Sequence, residues 1–151
     1  MGSYSIQAAD KSHQSAIKQL IREADINPLG LKWPRFRVAL DDTGSLIGCG
    51  QVKPHRDGSR ELASIAVASA WRRQGIASAL IEELLAREIL PLWLTCMSHL
   101  IPFYEQFGFI EVTERQEMPT YFRRVHRLFP LFARLTHTPG YLAVMVNRQT
   151  P

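Results

Sequence analysis

The chain has 151 residues, of which 46% are hydrophobic and 21% charged, proportions that exclude a disordered or low-complexity chain and suit one core. Its net charge of +4 and pI near 9.4 admit phosphates, nucleic acid or an acidic surface as partners, but the excess is too small to choose among them. No run of 18 apolar residues, export signal or zinc-type spacing around Cys49 and Cys96 is present, so a single domain over residues 1–151, a cytoplasmic location, no transmembrane segment and no metal are expected.

In chain order, Tyr4 to Ala8 suits a first strand, and Asp10 or Ser12 can cap a helix whose apolar stripe is Ala16, Ile17, Leu20, Ile21 and Ala24. "DINPLGLKWP", residues 25–34, breaks that helix and forms a loop anchored by Trp33. Phe36, Val38 and Leu40 alternate with polar or small residues, "DDTG" turns, and "SLIGCGQV" resumes an extended run, the signature of a hairpin. "ELASIAVAS", residues 61–69, has the small and β-branched composition of a central strand covered on both faces.

A helix follows at once, with Ile76, Leu80 and Leu84 on its inner stripe, Ala77, Ile81 and Leu85 beside it, and Glu82, Glu83, Arg87 and Glu88 outward. "PLWLTCM" is a further strand, "SHLIPFYEQ" a short helix, "GFIEV" a glycine stop and strand, and "TPGYLAVMVN" the last strand. Between these two strands, residues 120–135 read as a helix interrupted by Pro130, with Phe122, Val125, Phe129, Phe132 and Leu135 on its packed face.

The stretch "SAWRRQGIASALIEELL", residues 69–85, sets positive charge and a glycine at the start of a helix. Unpaired N–H groups and the positive end of the helix dipole meet there, which makes an anion site. Gly75 permits close approach of a phosphate, and Arg72 and Arg73 add charge. A basic surface turn at an ordinary helix start reads equally well from these residues alone. Neither G-x-x-x-x-G-K-[ST] nor G-x-G-x-x-G is present, so the nucleoside-triphosphate and dinucleotide loops do not apply.

The pattern R-x-x-G-x-A in Arg72-Arg73-Gln74-Gly75-Ile76-Ala77 resembles the acetyl-coenzyme A signature of the GNAT N-acetyltransferase superfamily. "FYEQFGF", from Phe103 to Phe109, resembles the second hallmark of that family one strand and one helix later. The resemblance spans Tyr4 to about Val112 plus a closing strand near Leu142 to Val146. It implies an α/β fold with a mixed, splayed sheet of about six to seven strands flanked by helices. It also implies acetyl-CoA as cosubstrate, held by Ile65, Ala66 and Val67 at the pantetheine and by Arg72, Arg73, Gln74, Gly75, Ile76, Ala77 and Ser78 at the pyrophosphate. The expected activity is acetyl transfer to a primary amine of a small molecule or peptide within a ternary complex. A non-catalytic acetyl-CoA-binding sensor or assembly module is the alternative.

Acetyl transfer needs a neutral amine, a stabilised oxyanion and a proton for the departing thiolate. By similarity Tyr104 is the general acid, also in contact with the cofactor; a free phenol near pKa 10 can protonate a thiolate whose thiol lies near about 8.5. Glu61, at the start of the central strand where some relatives carry a catalytic glutamate, is the candidate base, with His99 and ordered water as competitors. Relatives often have asparagine shortly before the tyrosine, where this chain has Met97 and Ser98.

From Thr113 to Gly140 five arginines (Arg115, Arg123, Arg124, Arg127, Arg134) face Glu114 and Glu117 alone. The chain's basicity is therefore concentrated in a helical insertion at about 119–137. Three readings stay open for it: a solvated face, a lid over the acceptor that favours an amine bearing an acid group, or a surface for a membrane or nucleic acid. Nucleic acid is the least favoured partner, and a homodimer is possible in principle.

Overall fold

The computed structural model describes residues 2–149; residues 1, 150 and 151 of the expected domain lie outside them. Seven strands follow the order β1-β2-β3-β4-β5-β7-β6 in a mixed sheet. The chain forms two compact units, one built on residues up to Lys53 with Leu62–Glu88, the other on Pro54–Glu61 and residues from Ile89 onward.

In the first unit β1 (Tyr4–Ala8), β2 (Phe36–Asp41) and most of β3 (Leu46–Pro54) are antiparallel, with Ile6 opposite Ala39 and Val38 opposite Cys49. Alternation along β2 sends Phe36 and Val38 to one face and Ala39 to the other. On the first face they meet Ile17, Leu20 and Ile21 of α1 (Gln14–Glu23). On the second, Ala39 and Ile47 meet Ile76 and Leu80 of α2 (Ile76–Leu85). Asp10 caps a 3-10 turn ahead of α1, accepting from Ser12 N at 2.8 Å while its own N–H donates to His13 Nδ1 at 3.0 Å. This is a capping box placed one turn earlier than an ordinary helix cap.

Small residues in β3 let α2 lie close. A Cβ added at Gly48 would stand 3.0 Å from Ile76 Cγ2, and one at Gly50 would stand 2.6 Å from Ile65 Cδ1 and 3.0 Å from Leu84 Cδ1. Glu83, expected on the outward side of α2, instead bonds Arg37 of β2 at 2.6 Å and Arg87 at 2.8 Å. Arg87 and Glu88 follow the end of the helix rather than extending its polar face.

The second unit centres on β5 (Leu92–Met97) and β7 (Leu142–Asn147), antiparallel with Leu94 opposite Met145, and β6 (Ile110–Val112) borders β7. Glu61, in β4 (Arg60–Val67), stands in parallel register with Trp93. Trp93, Val112, Met118, Phe122, Val144 and Val146 form the core here, and the short α3 (Ile101–Glu105) follows β5.

The helix expected to be interrupted at Pro130 continues through it as α4 (Thr120–Thr136). Proline removes one i to i−4 bond, a loss this helix tolerates with the ring exposed to solvent. The expected packed face is only half present. Phe122 is fully buried and Val125 and Phe129 half-buried, whereas Phe132 is 62% and Leu135 83% exposed. At about 100° per residue, steps of three and four that average below the helical period walk the apolar stripe roughly 140° around the helix between Phe122 and Leu135.

No side chain next to α4 in sequence caps it. The amide of Tyr121 donates instead to Asp57 Oδ2 at 2.9 Å, and Asp57 is fixed by Ser59 N at 2.9 Å and Ser59 Oγ at 2.6 Å. Slight burial pushes the Asp57 carboxyl up, but the Ser59 hydroxyl, the Tyr121 and Ser59 amides and His55 together hold it below the usual carboxylate range. Asp57→Ala is therefore expected to lower stability by about 1 kcal/mol, the usual loss for a cap. A depressed folded pKa gives stability that is present above the ordinary value and lost as pH falls through the lowered one. Urea titrations of both proteins should thus differ at pH 7 and converge well below pH ~4; a gap independent of pH would refute the charged cap.

Candidate active site

Strand β4 carries Ile65, Ala66 and Val67, with Ala66 buried and its neighbours half-buried. Just before them Ser64 adopts φ 59 in the left-handed region, uncommon for a residue with a side chain. Two side chains hold it there. Gln51 Nε2 donates to Ser64 Oγ at 2.8 Å and to Gly30 O at 3.3 Å, and the Cys49 thiol donates to Ser64 O at 3.5 Å. Burial pushes that thiol up to about 12, so it is inert at neutral pH.

After β4 a 3-10 turn (Ser69–Trp71) leads into the arginine turn. Arg72 Nε reaches back to Val67 O at 3.3 Å, and Arg73 and Gly75 take φ 63 and 81. A Cβ at Gly75 would meet nothing within 4 Å, so glycine serves the left-handed backbone here and space in front of it is open. Buried Ile76 pins the start of α2, and among the described residues no side chain caps its first N–H groups. Those amides and the exposed Arg72 and Arg73 form a positively polarised turn with the donors and the room that a pyrophosphate requires. Gln74, Ala77 and Ser78 are half-buried within the same stretch.

Tyr104 lies on α3, edge-on to Phe103 at 5.0 Å and to Phe109 at 6.2 Å between ring centroids. Burial, with a smaller contribution from Cys96, pushes its phenol up to about 12. Burial and the charge of Glu111 push Cys96 itself to about 11. Gly108, at φ 88, ends the aromatic block, where Asn147 Nδ2 donates to Phe107 O at 2.9 Å. His99 is exposed on the preceding turn, while Ser98 is tied to Tyr141 through Ser98 N to Tyr141 O at 2.9 Å.

Glu61 belongs to a different cluster from Tyr104. The residue is only 7% exposed, and its Oε1 lies 2.9 Å from His55 Nε2. The His55 ring stacks on Tyr121 at 3.6 Å and 15°, and meets Phe122 edge-on at 5.7 Å. Trp93 stacks on Phe122 at 5.6 Å. Burial first, and then the charge of Glu61, raise the Tyr121 phenol. His55 and Tyr121 are absent from the sequence-derived site. His55 sits in the polar loop "KPHRDGSR", and only its six-residue spacing from Glu61 across a hairpin turn hints at the pairing. Among the described residues no group of three His, Cys, Asp or Glu side chains is disposed to hold a metal.

The sequence pattern of the Acetyltransferase (GNAT) domain matches residues 32–111, more than half of the chain. The chain belongs to the GNAT acetyltransferase family. Solved structures share the fold at low identity. N-acetylglutamate synthase from Neisseria gonorrhoeae, complexed with coenzyme A and N-acetyl-glutamate, is similar at TM-score 0.75 and 19% identity over 100% of this chain and 36% of that one. This GNAT chain thus spans about a third of that synthase. Rv2747 from Mycobacterium tuberculosis, in complex with CoA, gives TM-score 0.73 and 21% identity over 97% and 99% of the two chains. The ribosomal-protein-S18-alanine N-acetyltransferase from Escherichia coli gives 0.66 and 21% over 99% and 97%. Curated protein sequences give no match.

The strained serine of this GNAT chain yields a direct expectation. Ser64→Val should destabilise by about 1–3 kcal/mol, since a β-branched side chain opposes the left-handed backbone and Gln51 loses one of its two acceptors. Ser64→Gly, which accepts that backbone freely, should cost less. Chemical denaturation checks the order; equal losses would mean that Ser64 is not held under strain.

Proposed function

We propose that residues 1–151 act as a single GNAT domain that transfers an acetyl group from acetyl-CoA to a primary amine of a small molecule or peptide, by direct attack in a ternary complex. The observation that carries the cofactor is the turn before α2, with two left-handed residues, open space at Gly75 and no side chain on the first helical amides. Arg72, Arg73, Gln74, Gly75, Ile76, Ala77 and Ser78 would hold the pyrophosphate, and the backbone of Ile65, Ala66 and Val67 the pantetheine. Bound acetyl-CoA supplies an activated thioester. Coenzyme A in the N-acetylglutamate synthase and Rv2747 structures is consistent with this reading.

In the proposed reaction the amine nitrogen forms the new bond to the carbonyl carbon, the carbon–sulfur bond breaks, and Tyr104 Oη delivers a proton to the sulfur. A proton lost by the amine passes to Glu61, directly or through water. Support for Tyr104 comes from its surroundings. Phe103 and Phe109 hold its ring edge-on, and burial pushes the phenol up to about 12, so the proton stays on Oη through neutral pH and is available when the thiolate departs. For Glu61, burial against His55 favours it over the exposed His99.

Calorimetry tests the cofactor. Acetyl-CoA should bind and stabilise, by about 2.7 kcal/mol at a hundredfold excess over Kd. Gly75→Glu should abolish binding through bulk and charge at the turn, while Cys49→Ser leaves it intact. Failure of the unmodified protein to bind would remove the proposal.

A thiol-release assay across amines tests the chemistry. Tyr104→Phe should keep cofactor affinity within a few-fold and lower turnover by roughly 10²- to 10⁴-fold. Because the Tyr104 phenol stays protonated up to about 12, the loss should be uniform across pH. Glu61→Gln should lower turnover while keeping cofactor affinity within a few-fold. Binding without turnover on any amine would favour a sensing module.

A further inference from the structure

We propose that the outer face of α4 docks on a lipid bilayer bearing anionic headgroups. Leu128, Leu131, Phe132 and Leu135 are 56, 62, 62 and 83% exposed. At about 100° per residue they fall within a stripe roughly 100° wide. Scattered exposed leucines are ordinary, but four large apolar side chains in register on one helix mark a contact surface. The face is not the helix's own packing side, which Phe122, Val125, Phe129 and Ala133 already occupy.

Charge selects the partner. All 14 acidic residues precede Met118, whereas the rest of the chain carries five of the 18 basic residues, all arginine. On α4 itself Arg123, Arg127 and Arg134 line one flank of the stripe, Arg124 extends it by one turn, and no carboxylate interrupts them. A bilayer meets both halves of this pattern at one depth, with acyl chains for the leucines and phosphates for the arginines. A second copy packed α4 against α4 would bury the stripe while bringing eight like charges together. Nucleic acid would pair the arginines and leave the stripe in water. Among the described residues no helix is long and apolar enough to cross a membrane, so the contact is at the surface.

The test is sedimentation of the full chain with vesicles of phosphatidylcholine alone and of equal phosphatidylcholine and phosphatidylglycerol. Binding is expected only to the second, weakened in high salt. Arg124→Gln with Arg127→Gln should reduce it about 30-fold, from roughly fivefold for each arginine near an anionic surface. Leu131→Asp with Leu135→Asp should abolish it, and both are exposed positions at which unfolding temperature should hold. Should that pair prove unstable, Phe132→Trp gives a second readout: its emission should shift to the blue and be quenched by brominated acyl chains. No binding to anionic vesicles, undiminished binding of the aspartate pair, or a tryptophan that stays in water would each overturn the proposal. So would a dimer in sedimentation velocity that the aspartate pair dissociates, or retention by nucleic acid that the pair leaves unchanged.

Discussion

A carboxylate withdrawn from water must find a partner or give up its charge, and Glu61 finds His55. That single demand organises the second unit. To bring the ring within 2.9 Å of Glu61, the chain between them folds into a turn closed by His55 N to Ser59 O at 2.9 Å and Gly58 N to His55 O at 3.0 Å. The turn presents Asp57, whose carboxylate becomes the N-terminal cap of α4. The imidazole then lies flat under Tyr121, and Phe122 reaches the core beside Trp93. Three successive contacts thus tie the start of α4 to one buried acid, although 60 residues of sequence separate Glu61 from Tyr121.

In the first unit the organising constraint is steric. Glycines at 48 and 50 give α2 a close seat on β3, and the stripe of Ile76, Leu80 and Leu84 fixes its rotation. A helix seated so firmly need not be anchored by a capping side chain, and its first turn is left without one. The polar end of α2 is therefore free for a ligand because its apolar side is so well determined. Ser64 shows the same economy one strand earlier. The backbone departs from regular strand geometry only where Gln51 and Cys49 hold both its hydroxyl and its carbonyl.

Periodicity made most elements legible in the sequence, since a one-sided strand or helix writes its burial into spacing. Tyr4–Ala8 is the strand its alternation predicts, and α1 buries the stripe of Ile17, Leu20 and Ile21. The arginine turn was equally legible, because glycine and charge at a helix start are local features. His55 and Tyr121 were not, because a histidine in a polar loop acquires its meaning only from a side chain placed opposite by the hairpin and from a helix far along the chain. Ser64 was hidden for a related reason, as nothing in the letters "ASIAV" reports a positive φ. Phe132 and Leu135 of α4 lie off the packed face that the spacing predicts, because helical spacing identifies an apolar helix face but not what covers it.

Charge segregation along the chain follows from these placements. The carboxylates of the early part have structural work: Asp10 caps, Glu83 bridges Arg37 and Arg87, Asp57 caps α4, and Glu61 is buried. Glu83 and Glu61 have basic partners in Arg37, Arg87 and His55, whereas Asp10 and Asp57 are held by hydrogen bonds that leave their charge in place. The arginines of α4 are mostly not matched in this way; Arg123 donates to the carbonyls of Arg115 and Met118, which leaves its charge uncancelled. With no acid among its own residues, α4 carries its arginine charge along the helix beyond the Asp57 carboxylate that caps its first turn. Because that charge lies beside exposed leucines rather than over the packed face, it acts outward, on whatever meets the stripe.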